Sequence, residues 1–112
     1  MISLMIASSI YAAAFQTAAA DSSRKAFTAC LRAAVDKGKA EKVAAAGFDA
    51  YVRGQCATAS STFRDAMVSF DVKNKVPRKQ AASDAESQIT DYYVETGERY
   101  KFQTETAGAK PQ

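Results

Sequence analysis

The first charged side chain in the sequence is Asp21. Ahead of it, Ile2 to Phe15 is an uncharged, mostly apolar run whose polar members are Ser3, Ser8 and Ser9, followed by Gln16-Thr17 and Ala18-Ala19-Ala20. A membrane-crossing helix needs about 20 consecutive apolar residues, and Gln16 and Thr17 interrupt this stretch earlier. An apolar segment, a short polar step and an A-x-A triplet form the pattern of an export signal, although no Lys or Arg precedes the run. The sequence therefore predicts residues 1–20 as a cleaved signal peptide, cut after Ala20, and a periplasmic or secreted protein that begins at Asp21. No cysteine follows the cut, so a lipid anchor is not expected.

Export decides how the cysteines are read. Cys30 and Cys56 are the only two, and in an oxidising compartment an isolated pair reads as a structural disulfide. Neither sits in a C-x-x-C motif. Closing a loop of this length restricts the unfolded chain by roughly 3.5 kcal/mol, a large share of what holds a small domain together.

Helical patterning fills the rest. Alanine supplies 24 of 112 residues and is the best helix former. Phe27, Cys30, Leu31 and Ala34 make one apolar stripe, predicting a first helix that starts at Ser22 or Ser23 and stops at Lys37-Gly38. Residues 39–47 show no stripe and are expected to form a loop with at most a short helical turn. Phe48, Val52, Gln55, Ala59, Phe63, Ala66 and Phe70 step by three and four and predict one long second helix ending near Asn74. Gly54, two residues from Cys56, is expected to allow close approach of the first helix. Ala82, Ala85, Ile89, Tyr92, Thr96, Tyr100 and Gln103 define a third helix from Pro77 or Arg78. The fold class is thus all-α: a small three-helix domain over 21–105, a long antiparallel helical hairpin with a shorter helix tied to it by Cys30–Cys56, and a disordered tail at 106–112.

In that arrangement the short first helix covers Val52, Ala59, Tyr92, Thr96 and Tyr100, and pairs Arg24, Lys25 and Arg32 with Asp91, Glu95 and Glu98. Phe63, Met67 and Phe70 are left facing only Ala81, Ala82, Ala85 and Ile89. That half of the hairpin is expected to be more exposed than Phe48 or Val52. Phe63, Met67, Phe70 and Ile89 are the candidate contacts with a protein partner or a second copy.

The chemistry classes narrow quickly. The chain has no histidine, which excludes a Ser-His-Asp triad, a histidine base and histidine metal ligands. Asp84, Glu86, Asp91, Glu95 and Glu98 lack a second carboxylate-rich helix for a dimetal site. Ser60-Ser61-Thr62 lacks a base. No catalytic residue, metal or cofactor is expected, and the chain reads as a non-enzyme acting by protein–protein contact. A net charge of +3 is too mild to argue for nucleic acid. Lys73, Lys75, Arg78 and Lys79 form a basic turn, the candidate anion-contact site. They carry the alternative reading, a periplasmic chaperone-like or anionic-surface-binding protein that meets the envelope through this turn. Tyr92, Tyr93 and Tyr100 with Gly97 offer a second possible partner face.

Overall fold

The computed structural model describes the backbone from Ile2 to Gly108 and the side chains from Ala18 to Glu105. The described residues are all-α: α1 (Ile2–Glu41), α2 (Ala45–Gln55), α3 (Ala57–Lys73) and α4 (Arg78–Gly108). Among them no helix is long and apolar enough to cross a membrane.

The first helix is longer than its stripe at both ends. Ser23, expected near its start, lies within α1 and turns its hydroxyl back to the carbonyl oxygens of Ala19 (2.9 Å) and Ala20 (3.1 Å), as a serine inside a helix does. The alanines before Asp21 simply continue the helix. Gly38 does not stop it either. The left-handed residue is Lys42 (φ 59°). Its N–H donates to Lys39 O at 3.2 Å, and Val43 N–H donates to Gly38 O at 2.9 Å. These are the two bonds of a Schellman closure. Residues 39–41, expected in a loop, are therefore the last turn of α1, and Ala45–Gly47 already belong to α2.

The long second helix is two. Cys56 leaves helical geometry (φ −112°, ψ 18°) between α2 and α3. Its N–H still reaches Val52 O at 3.0 Å, and its carbonyl accepts Ser60 N–H at 2.9 Å. The chain bends without losing its buried stripe, so Phe48, Val52, Cys56, Phe63 and Met67 share one core. A second Schellman closure ends α3. Lys75, not Asn74, is left-handed (φ 72°), with Lys75 N–H to Val72 O at 3.2 Å and Val76 N–H to Asp71 O at 2.9 Å. Asn74 instead donates its side-chain amide to Phe70 O at 2.8 Å. Pro77 precedes α4, and its carbonyl accepts Ala81 N–H at 2.9 Å. The helix runs to Gly108, past the expected end at Gln103. Of the tail expected at 106–112, residues 109–112 lie outside the described residues.

Cys30 and Cys56 are bonded, with Cα atoms 5.9 Å apart. Cys56 is fully buried and Cys30 is half-buried. From this staple α1 and α3 run in opposite senses. Phe27 lies against Phe63, ring centroids 5.9 Å apart, and Ala18 and Ala20 share a groove with Met67 and Phe70. Phe27 also meets the edges of Tyr92 (5.5 Å) and Tyr93 (5.3 Å) on α4. On the other side of the staple, Phe48 stacks flat on Tyr100, 3.8 Å between centroids and 6° between planes. A Cβ added at Gly38 would stand 3.2 Å from both rings. The helix-packing glycine is thus Gly38. Gly54 has nothing within 4 Å of an added Cβ, which overturns the role expected for it.

The expected ion pairs between the first helix and α4 are replaced by local ones. Arg24 and Lys25 both pair with Asp21 (3.2 and 3.3 Å), and Arg24 lies over the Phe63 ring at 5.8 Å. Among the described residues the ion pair that joins two helices is Arg64 with Glu86.

Candidate functional site

The residues singled out as a partner face separate into core and surface. Phe63 is 0% exposed and Ile89 2%, close to Phe48 at 1% and Val52 at 0%, and Met67 is 8% exposed. Phe70 alone is half-buried. The cover over Phe63 comes from Phe27, because α1 passes along α3 in the N-terminal direction from Cys30. The first helix reaches Phe63 with its N-terminal part and not with the part that leads to Gly38, which corrects the uncovered half expected there. Phe63 and Ile89 therefore hold α3 and α4 together and are not at the surface.

What remains at the surface is a groove of about 690 Å³ lined by Ala18, Ala20, Asp21, Arg24, Met67, Phe70, Asp71 and Gln88. Three helices build it. α1 supplies small side chains and the Asp21–Arg24 pair, α3 supplies the apolar floor, and α4 supplies the Gln88 amide. The alanines permit close approach yet cover little of Phe70. Sequence spacing pointed to Met67 and Phe70 but missed Ala18, Ala20, Asp21, Arg24, Asp71 and Gln88. They are brought in by the antiparallel course of α1 along α3, which the Cys30–Cys56 bond anchors at one point without setting its direction.

The basic turn lies just beyond this groove in the chain. Lys73, Lys75, Arg78 and Lys79 are all exposed, with Val76 half-buried and Pro77 exposed between them. The tyrosine face does not form. Tyr93 and Tyr100 are buried and Tyr92 is half-buried. The Tyr100 hydroxyl donates to the Val43 carbonyl, locking the α1–α2 connection onto α4. Arg53 lies over the Tyr93 ring at 4.5 Å, held also by Asp49 at 3.0 Å. Among the described residues the exposed large apolar side chains, Val94 (51%) and Phe102 (70%), stand singly on α4, as scattered surface apolars ordinarily do.

Among the described residues one side chain has a clearly displaced titration. Tyr51 donates to Glu41 Oε2 at 2.6 Å. That hydrogen bond, then partial burial, the Glu41 charge and Tyr100 push its phenol up to about 12 from an ordinary 10.0. This makes the phenolate harder to form, the opposite of what an activated nucleophile requires. Among the described residues no group of His, Cys, Asp or Glu is placed to hold a metal ion.

No family model, no curated protein and no solved structure matches this chain.

Proposed function

We infer that this is an exported helical protein that acts by contact and not by catalysis, taking an acidic amphipathic helix of a partner protein into the groove over Met67 and Phe70. The observation that carries the reading is the shape of that groove, one wall of which is a stretch of helix, Ala18 to Asp21. Removal of residues 1–20 on export takes most of that wall away. The space it leaves beside Phe70 is that of a helix, the form in which an amphipathic segment fills an apolar groove. Asp21, paired with Arg24, and Asp71 also line the groove, so the preference for a partner that carries carboxylates rests on the basic residues just beyond it, Lys73, Lys75, Arg78 and Lys79. The reading also rests on α3 and α4 acting as one antiparallel hairpin that presents this face.

The test uses the exported protein with a photo-crosslinking residue at position 70 and, as control, at the exposed position 102. Mass spectrometry of the product is expected to give Asp21 as the N-terminus. Adducts are expected from position 70 only, mapping to an acidic helical segment. An intact Met1 in exported material removes the export reading. Equal adducts at 70 and 102, or adducts on basic or extended segments, remove the contact reading. A crosslinked second copy of this chain replaces the partner with self-association.

A further inference from the structure

We propose that the 73–79 turn is a contact site for the phosphate headgroups of an anionic bilayer. Lys73, Lys75, Arg78 and Lys79 are exposed, and among the described residues none of them is in an ion pair. Three of the four stand where folding alone disfavours them. Lys75 occupies a left-handed position (φ 72°) that closures of this type ordinarily give to glycine. Arg78 and Lys79 lie in the first turn of α4, with no acidic residue in that turn. The free N–H groups there already carry partial positive charge, and further cations oppose it. A turn that only joined two helices would relieve these conflicts. Lys42 closes α1 with the same left-handed geometry, and what sets the 73–79 turn apart is the pair of cations at the start of α4 with no acidic residue to relieve them, a conflict that points to a binding role.

The tip is also apolar where it needs to be. Val76 and Pro77 sit between the two pairs of cations, and apolar groups ringed by Lys and Arg suit a membrane surface. No aromatic residue occurs in 73–79, so unpaired bases would find nothing to stack on. The direction of α1 selects a bilayer over a free anion. Ala18 and Ala20 are level with Met67 and Phe70. The preceding helical residues, Ile2 to Thr17, carry the α1 backbone about 24 Å further the same way, whereas α3 ends three residues past Phe70, at Lys73. The uncharged N-terminal run thus leaves the bundle at the end where the turn lies. A chain that still carries that run and meets a membrane through it presents the turn to the headgroups, whereas the exported product keeps only the turn, so the two forms are tested separately.

The experiment is co-sedimentation of the full-length chain, and separately of its exported product, with phosphatidylglycerol and with phosphatidylcholine vesicles. The readout is the difference between the two lipids, which an apolar segment alone does not produce. Retention on the anionic vesicles is expected to be the greater and to fall as salt rises. Each cation removed should weaken it about fivefold, and Lys75→Ala/Arg78→Ala/Lys79→Ala together about a hundredfold. Lys75→Gly guards against misfolding. It should bind about fivefold more weakly while raising the melting temperature, because glycine suits the left-handed position. Equal retention on both lipids, or no loss in the triple variant, overturns the proposal. Full displacement by inorganic phosphate at the concentration of lipid phosphate assigns the turn to a free anion and overturns the bilayer. Tighter binding to duplex DNA than to phosphatidylglycerol does the same.

Discussion

Around Phe48 and Tyr100 the helices meet through flat aromatic contact, a glycine at the crossing and a hydroxyl bonded to a connecting carbonyl. Around Phe70 they meet through alanines and leave about 690 Å³ of groove. The disulfide separates the two regions. On its α2 side the first helix is pinned several ways at once. On its α3 side contact thins from Phe27 and Phe63 toward Ala18 and Ala20. Packing fixes the geometry of the first region, and the second keeps apolar surface that packing alone would have covered. Packing is thus concentrated at one end of these helices, and the contact proposed with other molecules would use the other.

The largest expected effect sets core against groove. Phe27→Ala removes a ring in contact with three others and is expected to cost about 3–5 kcal/mol. Phe70→Ala is expected to cost under about 1.5 kcal/mol, because its ring is already partly in water. Urea midpoints of the two variants measure the contrast, and equal losses would erase the distinction between the regions. Next, removing the disulfide by Cys30→Ser/Cys56→Ser should lower stability by roughly 3.5 kcal/mol. Amide exchange is expected to accelerate first in α2. Earlier acceleration near Ala81 to Ile89 would place the weak region elsewhere.

Two glycines sharpen the comparison. Gly38→Val pushes a branched side chain against the Phe48–Tyr100 stack and is expected to cost about 1–3 kcal/mol. Gly54→Ala meets open space and should gain about 1 kcal/mol from helix propensity alone. Opposite signs in thermal melts check the pair. The smallest effect is alkaline. Tyr51 holds its proton more tightly when folded, up to about 12 against an ordinary 10.0. Its contribution is therefore fully present below about pH 10 and lost as pH rises through about 12. Tyrosinate absorbance should show a late component that vanishes in Tyr51→Phe and moves to lower pH in Glu41→Gln.

The helical stripes were legible because they are statements about spacing, and the disulfide because Cys30 and Cys56 are the only two cysteines. The break at Cys56 was not, and its bonds explain why. With Cys56 still joined to Val52 and Ser60 in the ordinary i, i+4 way, the side-chain period runs through the bend undisturbed. Periodicity reports which face is buried, not whether the axis is straight. Gly38 looked like a stop because glycine often is one. The left-handed positions instead went to Lys42 and Lys75, where composition gives no warning. For the candidate site, Met67 and Phe70 came from the stripe. Their neighbours depended on the direction in which α1 leaves the staple, a tertiary fact absent from any local window. Phe63 was misplaced for the same reason.

The continuity of α1 bears on when the chain would be processed. The Ala20 carbonyl belongs to the bond that export would cut, and it is engaged by Ser23 inside a continuous helix. A peptidase acts on an opened backbone, and here opening requires unwinding a turn and freeing that serine. Cleavage and folding would then compete for the same few residues, so an early cut favours the shortened form, while a chain that folds first protects its own junction. The order of these two events, more than the identity of the cleavage residues, would set how much of the protein carries its leader.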